Sequence, residues 1–169
     1  MPLLVDPSVV LPSFQKAMDA GVIEVHPCTL DKTLFHHLDI ADGEPRMTYA
    51  RLDKAKQVTV LVQFFNAEPY EGERCFDVGW AVPLKFRGKG RAGEAFLAAV
   101  RELRHIFLSK QQGKKFYLEG IIGVDNLASR KTAEKVFASA GISGTDTNSG
   151  APILQFVRCI ENTTNLRLP

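Results

Sequence analysis

The chain has 169 residues, 45 % of them hydrophobic and 24 % charged, with a formal net charge of +2. Those are ordinary globular proportions, and no apolar run approaches the ~20 residues that span a bilayer, so a membrane partner is excluded. So small a charge also argues against a nucleic-acid partner, which calls for a larger basic excess on one face.

The length suits one domain over residues 1–169, large enough to bury roughly two-thirds of its unfolded surface. The opening "MPLLVDPSVVLP" carries Asp6 and three prolines in place of a basic leader. It predicts no signal peptide and a cytoplasmic location. Cys28, Cys75 and Cys159 form no C-x-x-C pair, which predicts reduced thiols and no structural zinc. His26, His36 and His37 read as packing or surface residues, so no metal is expected.

In chain order, residues 11–21 and 30–40 read as short helices around a strand at 22–25. Residues 46–52 and 57–65 are rich in β-branched and aromatic side chains and flank a polar "DKAK", which predicts a hairpin. A polar stretch, 66–74, leads to a third strand over 75–82, with Phe76, Val78, Trp80 and Val82 on one face and Asp77, Gly79 and Ala81 on the other. A basic, glycine-rich loop then opens a helix in which Ala92, Phe96, Ala99, Val100, Leu103 and Phe107 recur at helical spacing, ending before "QQG" at 111–113. A buried strand follows at 115–124. From Asp125 or Asn126 as N-cap, a second long helix carries Ala133, Val136, Phe137 and Ala140 on one face until Gly141 stops it. The last strand covers 152–160, and no repeat or linker divides the chain.

The stretch "FRGKGRAGEAF" at 86–96 has two spellings. Gly88, Gly90 and Gly93 give G-x-G-x-x-G, whereas Arg87, Gly90 and Ala92 give R-x-x-G-x-A. A dinucleotide fold puts its first glycine at the end of the first strand and an acid about 20 residues on. Here the glycine follows Val82 by six residues and Glu119 follows Gly93 by 26, so the spacing disfavours a nucleotide-dependent oxidoreductase. A pyrophosphate still suits the loop, because glycines admit close approach to backbone N–H groups and a helix N-terminus adds positive potential. Lys85, Arg87, Lys89 and Arg91 supply full charges.

Residues 82–100, "VPLKFRGKGRAGEAFLAAV", resemble the acetyl-coenzyme A signature [QR]-x-x-G-x-[GA] of the GNAT N-acetyltransferase superfamily. Residues 123–142, "GVDNLASRKTAEKVFASAGI", resemble that family's next strand end and helix, and the likeness spans roughly 57–142. It implies an α/β fold of the α+β kind: a mixed, mostly antiparallel sheet flanked by helices and splayed between its fourth and fifth strands. Acetyl-CoA would sit in the gap, its pyrophosphate on the N–H groups of Gly88, Lys89, Gly90, Arg91 and Ala92 beside Arg87. The pantetheine would pair with backbone at Trp80, Ala81 and Val82. Asn126 would touch its arm, although asparagine there is equally a helix cap, and Ser129 and Arg130 would meet the phosphates.

Acetyl transfer needs a neutral amine, and a free alkylamine has a pKa near ~10.4, so a base is required. Asp77 and Glu119 are the candidates, with Glu73 a third. The family's tyrosine acid would fall at Ala133, a departure that leaves Tyr117 or Ser129 as substitutes and a catalytically inactive CoA-binding module as an alternative. The helix bearing Ala133 also reads as about one turn longer than is usual before its glycine. Glu68, Glu71, Glu73 and Asp77 suit a small cationic amine acceptor. A protein amine, and self-association as a homodimer, stay open.

Overall fold

A computed structural model describes residues 6–109 and 113–169. The order of elements is α1 (Pro7–Asp19), β1 (His26–Pro27), β2 (Leu34–Ala41), β3 (Glu44–Leu52), β4 (Val58–Tyr70), β5 (Glu73–Ala81), a short 3-10 turn (Leu84–Phe86), α2 (Arg91–Ser109), β6 (Lys115–Gly123), α3 (Leu127–Phe137), β7 (Ile142–Thr145) and β8 (Pro152–Glu161). The strands form one eight-stranded sheet in the order β1-β2-β3-β4-β5-β6-β8-β7. Its neighbours are antiparallel except β5 and β6.

The mixed, mostly antiparallel sheet expected from the sequence is present, with the hairpin of β3 and β4 and the strands β5, β6 and β8 close to their predicted bounds. Three expectations are corrected. Residues 34–41, read as part of a helix, are strand β2, paired with β3 from Leu34↔Arg51 to Ala41↔Glu44. The turn is Asp42 and Gly43, with φ of 52° and 83°, the left-handed pair that an Asp-Gly hairpin favours. The polar stretch 66–74 continues β4 to Tyr70 and restarts at Glu73 around Glu71 and Gly72, whose φ values are again positive. No strand forms at 22–25; the adjacent strand is the two-residue β1. The parting strands are therefore the fifth and sixth.

The helix expected at 11–21 lies earlier, because Asp6 caps it by accepting from the Ser8 amide at 2.8 Å and Pro7 fits the first position. α3 is capped by Asn126, one of the two candidates, and ends at Ala138 in the left-handed region, three residues before Gly141. Ala140 is consequently exposed and outside the helix, and α3 gains no extra turn. Strand β7 was not foreseen, and the expected end of α2 at "QQG" falls partly outside the described residues.

The helices sandwich the sheet. α2 and α3 cover the face bearing Phe76, Val78, Phe116 and Leu118. α1 covers part of the other face, where Phe14 packs with Ala50, Val58 and Leu61. A chain of rings links the helices to both halves of the sheet: Trp80 of β5 meets Phe96 of α2 at 5.8 Å, Phe96 meets Phe137 of α3 at 5.5 Å, and Phe137 meets Phe156 of β8 at 5.7 Å. Gly120 on β6 makes room for that chain, since a Cβ there would stand 2.9 Å from Phe137 Cζ. Phe96 is fully buried, so Phe96→Ala should cost about 3–5 kcal/mol in a denaturant titration, against under ~1 for an exposed substitution.

Candidate functional site

The parallel pairing of β5 with β6 covers three positions, Cys75↔Tyr117, Phe76↔Leu118 and Asp77↔Glu119, and stops. Beyond it β5 stays paired with β4 as far as Ala81↔Leu61, and β6 stays paired with β8 as far as Gly123↔Ile153. Each strand keeps its outer partner while the edge between them opens. The inner edge of β5 from Val78 onward is thus left for water or a ligand to satisfy.

A cavity of about 370 Å³ lies at the mouth of this gap. Trp80, Ala81 and Val82 form one wall, and Phe86, Arg87, Gly88 and Gly90 another. Three helix N-termini reach it: Asp6 and Ser8 of α1, Arg91 and Ala92 of α2, and Asn126 and Ser129 of α3. Gly88 and Gly90 hold φ of 76° and 71°, the region that favours glycine. Among the described residues, the amides of Gly88, Lys89, Gly90, Arg91 and Ala92 have no intramolecular acceptor. Such amides, with the positive ends of helices behind them, favour an anion.

The cations near this loop divide by role. Arg87 Nε donates to the Val82 carbonyl at 2.9 Å, folding the loop onto the end of β5. Arg91 lies over the Phe86 ring at 5.4 Å, and its Nε is buried without a partner, a donor awaiting an acceptor. Lys85 donates to Gln57 Oε1 at 3.2 Å and does not line the cavity. Lys89 and Arg130 do not line the cavity; Arg130 instead donates to the Val124 carbonyl at 3.0 Å. Asn126 Oδ1 accepts from the Ser129 amide at 3.1 Å, so its cap role is real, and the residue also faces the cavity.

A second cavity of about 590 Å³ continues on the α1 side of the sheet and shares Asp6, Trp80, Asn126 and Ser129 with the first. Asp77 lines it, as does Asp146 of the turn between β7 and β8, and its described lining holds no Lys, Arg or His. The Asp77 carboxyl is pushed up to about 6, first by burial, then by the charge of Glu119 and a hydrogen bond with it. Glu119 lines neither cavity and accepts from Gln155 Nε2 at 2.5 Å.

Other sequence candidates are placed elsewhere. Tyr117 lines a separate recess with Tyr70, and its hydroxyl donates to Glu71. Glu73 and Glu68 lie with Glu71 at the β4–β5 hairpin end, away from both cavities. Ala133 of α3 is fully buried in the main core. The residues that the sequence reading missed are Asp6, Ser8 and Asp146, which long-range folding alone brings to the gap. The signal within reach was Asp6-Pro7, a cap followed by proline, which announces a helix start.

No family model and no curated protein matches the sequence. Solved structures do. The ribosomal-protein-S5-alanine acetyltransferase of Vibrio fischeri superposes with a TM-score of 0.50 and 13 % identity, over 71 % of this chain and 64 % of that one. A Bordetella pertussis protein assigned to the GNAT acetyltransferases gives 0.48 and 21 %, over 67 % and 65 %. A GNAT acetyltransferase of Streptococcus pneumoniae gives 0.48 and 9 %, over 68 % and 66 %. The chain spans a little under two thirds of the length of these proteins. The first of these likenesses shows that the chain has the GNAT fold.

Replacing Gly90 or Gly88 with alanine puts a Cβ in the left-handed region, at a cost of about 1–2 kcal/mol each. Thermal unfolding of both variants should show that loss, whereas Gly123→Ala, which has no positive φ and meets no atom within 4 Å, should stay near the parent.

Proposed function

We propose, taking the GNAT fold as premise, that this protein is an acetyl-CoA dependent N-acetyltransferase that moves the acetyl group directly to a primary amine. The observation that carries the reading is the free inner edge of β5 running into a loop of unsatisfied amides at the α2 N-terminus. An extended arm ending in a pyrophosphate suits both features together. Gly88, Gly90, Arg91 and Ala92 would hold the pyrophosphate with Arg87 and Ser129 beside it, and Trp80, Ala81 and Val82 would pair with the pantetheine. When bound, acetyl-CoA supplies a thioester carbonyl as the electrophile.

Asp77 takes a proton from the incoming ammonium, which frees the nitrogen lone pair for attack. The Val82 N–H, which has no acceptor among the described residues, meets the negative charge that develops on oxygen. A thiol pKa near ~8.5 lets the leaving thiolate depart without an acid. Asp6, Asp77 and Asp146 around the second cavity support a cationic amine as acceptor, either a small molecule or a protein amine.

The buried Ala133 favours a second reading, a CoA-binding module without turnover. Thermal unfolding with acetyl-CoA, coenzyme A or NAD(H) tests the shared premise. CoA ligands at about 100 Kd should add about 2.7 kcal/mol and raise the midpoint by several degrees, and NAD(H) should not. Thiol release across a panel of primary amines then separates enzyme from module. Asp77→Asn should keep the CoA shift and lose about 10²–10⁴-fold in turnover; undiminished turnover would remove Asp77 as the base.

A further inference from the structure

We propose that Asp77 and Glu119 work as a carboxyl pair in which Asp77 is the base and Glu119, anchored by Gln155, is a positioning residue that sets how tightly Asp77 holds a proton. The inference rests on the acetyl-transfer reading and assigns different roles to two residues that the sequence leaves equivalent.

The two carboxyls are opposite each other at the last paired position of β5 and β6, on the sheet face away from α2 and α3. Only Asp77 lines the acceptor cavity. Glu119 is drawn the other way, toward β8, by the amide of Gln155, which sits across from Ile121. The Gln155 amide ties the Glu119 carboxyl toward β8 and leaves Asp77 as the member of the pair that faces the cavity.

The surroundings do not neutralise the pair. On β5 the nearest titratable neighbour on this face is Cys75, whose thiol is pushed up to about 12 by burial and by both carboxylates and so stays neutral. β4 presents Phe65 opposite Asp77. On β8, Cys159 lies one step beyond Val157 and two beyond Gln155 on the same face, opposite Tyr117. α1 brings Asp6 and the β7–β8 turn brings Asp146, both acidic. Among the described residues both salt bridges lie elsewhere, between Arg46 and Asp39 and between Arg51 and Asp31. Two carboxylates kept side by side with no cation weaken the fold, an arrangement that stability alone would not select. In the step itself a proton passes from the amine to Asp77. The N–C bond forms and the C–S bond breaks, the second proton shed by the nitrogen neutralises the departing thiolate so that coenzyme A leaves as its thiol, and Asp77 returns its proton to water.

Because the Asp77 carboxyl is raised in the fold, its protonated form contributes stability below the ordinary carboxylate range, and that contribution is lost as pH rises through about 6. Both Asp77→Asn and Glu119→Gln remove one of two facing charges, so both should melt above the parent at pH 7.

The decisive comparison is the pH titration of the Asp77 carboxyl carbon by 13C NMR in the parent and in Glu119→Gln, with Asp77→Asn identifying the resonance. The Asp77 midpoint should fall by about one pH unit or more in Glu119→Gln. The acid limb of thiol release, with whichever amine the panel selects, should move down with it, while Asp77→Asn loses turnover across the range. An unmoved midpoint, a Glu119→Gln protein that melts below the parent, or a loss of turnover in Glu119→Gln as large as in Asp77→Asn would overturn the assignment. Silence of every amine would count against acetyl transfer and leave the carbon titration to judge the pair independently.

Discussion

The structure depends on a sheet that stops pairing in its middle. After Asp77 and Glu119 the ladder between β5 and β6 ends, yet neither strand loses its outer neighbour. Backbone groups that a closed sheet would consume are therefore presented to whatever enters, and an isolated polar edge is costly unless something satisfies it. What keeps the two halves from drifting apart is the chain of rings from Trp80 through Phe96 and Phe137 to Phe156. Side-chain packing beneath the gap replaces hydrogen bonding across it, so the opening belongs to the folded state and the core itself specifies it.

Around that opening the fold gathers one sign of potential on each side. The N-termini of α2 and α3, the unpaired amides of residues 88–92 and the orphaned Arg91 Nε form a cationic wall at the first cavity. Asp6, Asp77 and Asp146 form an anionic one at the second. A ligand with an anionic end and an electrophilic end near a cationic nucleophile is the chemistry that such a division suits. Asp6 stands at the boundary, where it serves α1 as its cap and closes the far side of both cavities.

Much of this was legible in the amino-acid sequence because local rules dictate it. The R-x-x-G-x-A loop needs left-handed glycines before a helix, and the strand before it alternates clearly, so β5, the loop and α2 could be read in order. The hairpins were not legible where their turns used Asp42-Gly43 and Glu71-Gly72 within polar surroundings, because exposed strand ends carry no apolar alternation. The end of α3 was misplaced because Ala138 takes the left-handed cap that glycine normally provides. Tyr117, Glu119 and Asp77 fall on one sheet face in any alternating reading. Only the tertiary partners Glu71, Gln155 and Glu119 itself separate their roles, and those lie 46, 36 and 42 positions away in the chain.

Amide hydrogen exchange with and without coenzyme A tests most directly whether the parted strands are the binding gap. Saturating coenzyme A should slow exchange at the inner-edge amides of residues 78–82 and at the loop amides of residues 88–92, which have no partner across the gap or within the loop in the free protein. The same result predicts little change in β2 and β3, which are paired throughout. Protection confined to the loop, or spread evenly over the sheet with β5 unchanged, would contradict the account.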